Sequence, residues 1–220
     1  MESTNNFLYL IFSHTNNRMG GVIRTVTRYD YNHVSVALTS NLSKIYSFAR
    51  HHHDTPFYGG FVCESATRFI KDDTVANVKI YAIPVSERQH RIAKNYINKV
   101  EREKGKYLYN MFSAATFPFH RRVNIDRAYT CVEFAVSVLR RIGAPRHGRI
   151  SRFCSIEQLD QIYADYQIYE GSFPSYAGSP AESDGYMRKN TVRYRVGHTV
   201  GSNARLFGRL FRRLWHSIIP

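Results

Sequence analysis

Asn32-His33-Val34-Ser35-Val36-Ala37-Leu38 is the stretch on which the fold reading turns. Val34, Val36 and Leu38 alternate with His33, Ser35 and Ala37, the period of two that marks a strand. One face is apolar; the other is small and polar, and His33 opens it. Its counterpart lies almost a hundred residues on, at Tyr129-Thr130-Cys131-Val132-Glu133-Phe134. There the apolar run Phe134, Val138 and Leu139 predicts a helix from Cys131 to Ile142, closed by Gly143 and Pro145.

Working outward, Phe7–Phe12 reads as a buried strand of aromatic and branched residues, and 44–49, 60–64 and 75–85 as three more. Residues 19–28 read as a short helix after an Asn16-Asn17 turn. Ser86-Glu87-Arg88-Gln89 and Ser155-Ile156-Glu157-Gln158 are capping boxes, Ser at the N-cap and Gln three later. The first opens a helix with Ile92, Tyr96, Ile97 and Val100 on its inner face, stopping near Gly105. The second opens a helix to about Tyr163, and Tyr166–Tyr169 reads as a last strand ended by Gly171. Strands followed by helices predict an α+β fold, a mostly antiparallel sheet packed on helices, with a C-terminal amphipathic helix.

Composition sets the outer bounds. With 43% hydrophobic and 22% charged residues the chain has the makeup of a globular protein, which excludes disorder. No apolar run approaches the ~18 residues that cross a bilayer. Phe7–Phe12 is too short for a signal-peptide core and no basic region precedes it, so the cytosol is expected, with peripheral attachment to a membrane open. Cys63, Cys131 and Cys154 form no CxxC pair, which fits a reducing compartment. Of the net charge of +14, +8 falls on residues 188–220, which hold no acidic residue. Residues 172–187, rich in Ser, Pro and Gly, read as a linker between a body, 1–171, and this basic tail, 188–220.

The chemistry expected rests on Cys131 and His33. A thiol attacks only as thiolate, and a helix N-terminus favours the anion. An imidazole completes activation by taking the thiol proton and returning it to the leaving group. The small side chains of Ser35 and Ala37 are expected to leave room for a substrate beside His33. A lone thiol at a helix start is more often a packing residue, and a histidine before an apolar strand more often an edge residue; it is the pairing that points to chemistry.

The order of a His-bearing strand, further strands and a Cys-bearing helix resembles the circularly permuted branch of the papain-like, NlpC-type cysteine hydrolases. His33–Leu38 and Tyr129–Phe134 carry the resemblance. The second is similar to that branch's aromatic-x-Cys-Ser-Glu-apolar motif, with Val132 where Ser is usual. Tyr46-Ser47-Phe48, Gly59-Gly60-Phe61-Val62 and Ile168-Tyr169-Glu170-Gly171 are similar to segments of uncharacterised bacterial members, and the likeness spans about residues 6–171. The resemblance implies Cys131 as nucleophile, His33 as base and a third polar group that orients the imidazole. For that group Glu64 is the better chemistry and Ser47 the nearer strand. Glu133 is read as a local helix cap. The branch includes relatives of lecithin retinol acyltransferase, which act on acyl lipids, but Cys-Val-Glu departs from their Cys-Glu-His motif.

The resemblance thus implies a cysteine peptidase-like hydrolase or acyltransferase working on an amide, ester or thioester, without a cofactor. The alternative is a papain-like scaffold that only binds a membrane or protein partner. Cys63 and Cys154 read as packing residues. His51-His52-His53-Asp54 reads as a solvated loop rather than a metal site, and Gly59-Gly60 and Gly20-Gly21 as turns. In the tail, Leu206, Phe207, Leu210, Phe211, Leu214, Trp215, Ile218 and Ile219 form one stripe, with Arg205, Arg209, Arg212, Arg213 and His216 opposite. An anionic membrane or protein partner through residues 203–219, docking on the body, and nucleic acid all remain open, nucleic acid fitting least.

Overall fold

The computed structural model describes residues 6–14, 29–65, 68–71, 74–174 and 185–218. The helix expected at 19–28, the Gly20-Gly21 turn and most of the linker lie outside the described residues. Strand β1 (Asn6–Ser13) is flanked by β2 (His33–Ala37) and β7 (Asn77–Val85). On one side the sheet continues through β3 (Ile45–Arg50) to β4 (Gly59–Glu64), and on the other it ends at β10 (Gln167–Ser172). All five pairings are antiparallel. A two-strand ribbon, β5 (Ile70–Lys71) with β6 (Thr74–Val75), precedes β7.

Both faces of this sheet are covered, which is why β1 reads as an unbroken apolar run rather than an alternating one. Leu8, Leu10 and Phe12 point into the larger core, shared with Val34, Val36, Phe48, Tyr81 and the helices. Tyr9 and Ile11 enter a second core with Ala37, Ile45, Val78, Ile80 and Phe69, where the Phe69 and Phe173 rings stack 4.2 Å apart. Each fully buried side chain of this size contributes about 1.5–3 kcal/mol.

Helix α1 (Glu87–Arg102) starts at the Ser86 capping box and lays Ala93, Ile97 and Val100 on the first core, with Ile92 and Tyr96 partly buried beside them. Two elements follow that carry no sequence period. Strand β8 (Leu108–Tyr109) pairs in parallel with β9 (Ala128–Tyr129), and between them runs helix α2 (Met111–Thr116), capped by Asn110. Strand β9 delivers the chain into helix α3 (Cys131–Ile142), which ends on Gly143 in the left-handed conformation. Helix α4 (Ile156–Tyr163) starts at the Ser155 capping box.

Gly59-Gly60 is not a turn. Both residues lie in β4, and a Cβ on Gly59 would stand 2.6 Å from the Ala49 carbonyl oxygen, one on Gly60 2.8 Å from that of Tyr107. These glycines let the β8 segment close on the sheet. His51–Asp54 is not a solvated loop either. His51 stacks on Tyr58 at 4.5 Å, and its burial, helped by nearby cations, lowers the imidazole to about 4. His52 meets the Gly185 carbonyl and the Tyr194 hydroxyl, and His53 the Tyr186 carbonyl. Asp54 accepts from the Asn190 backbone and side-chain amides. The loop clamps the start of the tail to the body.

The tail is helix α5 (Val192–Ile218). It docks on the body through Leu206, buried against Leu108, Ile125 and Ala128, with Leu210, Met111 and Phe112 around it. Its arginines do not point away. Arg205 donates to the Gly105 carbonyl, Arg209 to those of Lys106, Asp126 and Arg127, and Arg213 to that of Asn124. The apolar stripe and the arginine side lie apart on the helix as expected, and the body meets the arginine side and the Leu206–Leu210 edge. Arginines and two leucines grip the body, while Phe207, Phe211, Leu214 and Trp215 are exposed. The cause is the body surface itself, which offers carbonyl acceptors beside a small apolar patch. No helix among the described residues is long and apolar enough to cross a membrane.

Candidate functional site

Thr130 caps α3 from extended backbone geometry. Its hydroxyl accepts from the Glu133 amide at 3.2 Å, and the Glu133 carboxylate accepts from the Thr130 amide at 2.8 Å. Glu133 is thus the local cap the sequence suggests, and it does more. It also accepts from Ser113, Asn110 and Arg122, tying α2 and the segment after it to the start of α3. Asn110 in turn donates to the Val123 carbonyl, and its own amide bonds the Tyr129 carbonyl. None of these partners carries a sequence signal beyond Asn110, an N-cap residue type.

This network fixes Cys131 as the first residue of α3. Its amide, like that of Val132, belongs to the unpaired donors that every helix start presents. Cys131 is 6% exposed. Cys63 and Cys154 pack at the rim of the first core, and burial raises both thiols, Cys154 to about 11. All three cysteines are free.

His33 begins β2, opposite Ser13 of β1. Its Nε2 lies 2.8 Å from Glu64 Oε1, and the two side chains are 12% and 3% exposed. Cys131 also acts on the ring, and the helix it opens packs against β2. Burial by itself favours the neutral imidazole, but the Glu64 carboxylate and Cys131 outweigh it and raise His33 to about 10. Burial likewise opposes the Glu64 anion. The His33 charge, with Arg68 and Ser47, overcomes this and holds the carboxyl down to about 2.

Of the two candidates for orienting the imidazole, Glu64 is the one that meets the ring. Ser47 is fully buried near the same carboxylate, and its hydroxyl makes no well-formed hydrogen bond among the described residues. A residue missed from sequence completes the arrangement: Ser35 donates to Glu64 Oε1 at 2.7 Å. The signal was present in the strand period, which sets Ser35 on the same face as His33. Among the described residues, the two small side chains expected to leave room beside His33 are both engaged. Ser35 is spent on Glu64, and Ala37 is fully buried in the second core. Two surface hollows lie elsewhere. One, of about 480 Å³, runs along Thr191, Arg193, Tyr194, Gly197 and His198; the other, of about 330 Å³, is lined by Tyr9, Ser40, Asn41, Leu42, Ile80 and Ile168. Among the described residues no group of three His, Cys, Asp or Glu is placed to hold a metal ion.

Sequence order scatters these groups over residues 33–131; folding sets the His33 imidazole on the Glu64 carboxylate and brings Cys131 to act on the same ring. Comparison with protein-family models, curated proteins and solved structures finds no match to the chain. The chemistry of the site therefore rests on its own geometry. A thiol at a helix start beside an imidazole is the residue pair that nucleophilic thiol chemistry uses. A buried carboxylate on Nε2 fixes the tautomer and the ring plane.

Proposed function

We propose that the chain is a cysteine hydrolase or acyltransferase that forms an acyl-enzyme at Cys131, on a permuted papain-like fold related to the NlpC-type hydrolases. The observation that carries this reading is the buried His33–Glu64 pair, with Cys131 acting on the same ring from the start of α3. With the Sγ proton held on His33, the thiolate attacks the acyl carbon of an amide, ester or thioester. The oxyanion that forms lies against the Cys131 amide at the helix start. As the tetrahedral adduct collapses, the bond to the leaving group breaks and His33 returns the proton to that amine, alcohol or thiol. Water, or an acceptor nucleophile, then gives its proton to His33 and takes the acyl group from Sγ. Glu64 orients the ring and balances its positive charge throughout.

A second reading is favoured by the burial of Cys131 and by the packing of Ser35 and Ala37: a scaffold with this geometry and no turnover. An electrophilic thiol probe applied to the intact chain across pH separates the two. The expected result is rapid labelling near neutral pH that is absent in Cys131→Ala and at least tenfold slower in His33→Ala. Slow labelling confined to alkaline pH and indifferent to His33 overturns the enzyme reading. Activated acyl esters and acyl thioesters are the first substrates to offer, with an intact-mass adduct at Cys131 as the readout.

A further inference from the structure

Helix α5 has one face that stays largely exposed, although its Phe207 ring meets Phe112 of the body edge-to-face at 4.9 Å. Val192, Val196 and Val200, then Phe207, Phe211, Leu214 and Trp215, recur at three- and four-residue steps and share that face. Each is at least half exposed; Phe211 is 65% exposed and Trp215 54%. Ala204, also exposed, fills the step between the valines and the aromatics. A 27-residue helix is about 40 Å long, so this is a long ridge rather than a scattering of single side chains. Exposed apolar surface on that scale marks an interaction site.

The charge around the ridge says what covers it. Residues 188–220 carry eight basic side chains and no acidic one. Arg205 and Arg209 are held by backbone carbonyls, which accept hydrogen bonds without cancelling charge. Arg193 and Arg212 are exposed along the same helix. Arg195 stands against a carboxylate, Asp54, at 4.0 Å. A straight ridge of valines and aromatics matches a plane better than a closed groove, and the net positive charge of the tail favours an anionic plane.

We infer that α5, docked on the body as it stands, seats the protein on an anionic lipid bilayer, with Phe207, Phe211, Leu214 and Trp215 in the interface. The arginine-side grip makes this possible: it holds the helix to the protein while turning the apolar edge outward. Aromatic and aliphatic side chains would enter the headgroup boundary, and the basic residues add attraction that salt screens. The inference does not depend on the thiol reading.

Trp215 is the only tryptophan of the chain, so its fluorescence reports on the ridge directly. The test uses the intact chain with vesicles of phosphatidylcholine alone and with one-third phosphatidylglycerol, read by co-sedimentation and by quenching from brominated acyl chains. The expected result is binding to the anionic vesicles at least tenfold tighter than to the neutral ones. It comes with a blue shift and quenching of Trp215, and it weakens with salt. Phe207→Ser/Phe211→Ser, which removes two largely exposed rings, one meeting Phe112 and one stacked on Trp215, should lose tenfold or more by co-sedimentation. Three results overturn the inference: no change in Trp215 with either vesicle; undiminished binding by the double variant; or a stable dimer that shields Trp215 without lipid, which would make a second copy the occupant. Binding to single-stranded RNA that exceeds vesicle binding and ignores the double variant overturns it as well.

Discussion

Helices α3 and α5 are both amphipathic, and they spend their polar side chains on opposite tasks. In α3 the apolar stripe, Phe134, Ala135, Val138 and Leu139, is buried on the sheet, and the charged cap at Glu133 is locked by four donors. Its polar end is built inward, around Cys131. In α5 the polar side does the docking, arginine to carbonyl, and most of the apolar side is left at the surface. A helix that buries its stripe takes its position from packing, whereas one that grips by guanidinium groups takes it from the geometry of the acceptors. The second kind keeps its apolar side available, so the same amphipathic pattern serves a core in one place and an outer surface in another.

The largest effect expected along this divide is at the α3 end. Glu64→Gln removes the carboxylate from a buried pair and should cost about 3–5 kcal/mol in urea unfolding at neutral pH. That cost should depend on pH. Glu64 sits below its ordinary 4.5, so its contribution is complete above that value and fades as pH falls toward about 2. His33 sits above its ordinary 6.5, so its contribution is complete below that value and fades as pH rises toward about 10. The gap in melting temperature between wild type and Glu64→Gln should therefore be widest between about pH 4.5 and 6.5 and narrow on both sides. A gap that does not move with pH would mean that the two groups do not form an ion pair.

At the α5 end, Leu206→Ala should cost about 2–3 kcal/mol of docking. Hydrogen exchange should register it as faster opening of 192–218, with the sheet unaffected. A smaller effect is expected from Thr130→Ala, about 1 kcal/mol by thermal unfolding, because it removes only one capping acceptor. The smallest is Phe211→Ser, which should change stability by less than about 0.5 kcal/mol, since the ring is exposed. A large loss there would show that the ridge is part of the fold and would erase the contrast between the two helices.

How much of this was legible follows from where the information sits. Capping boxes at Ser86 and Ser155 and the period of β2 are local, and the helices and strands they announce are found within a residue or two. Glu133 as a cap is local as well. The β8–β9 pair was not legible, because two-residue strands joined in parallel have no pattern of their own. The close approach at Gly59 and Gly60 and the docking of the histidine loop on Tyr194 are contacts between distant segments, which no local signal carries. At the site, residue type suggested Cys131, His33 and Glu64, while the engagement of Ala37 depended on the second core behind it. In the tail the period gave the stripe but not its direction, since direction depends on which carbonyls the body presents.

Arg209 ties these ends together. One guanidinium reaches the carbonyls of Lys106, Asp126 and Arg127, and so clasps the two chain segments that run into β8 and β9. Strand β9 leads, one residue later, to Cys131. The tail is in that sense part of the footing of the thiol: a chain cut back before α5 would release the clasp, and the loss would be felt as slackness at the start of α3, far from the place where the cut was made.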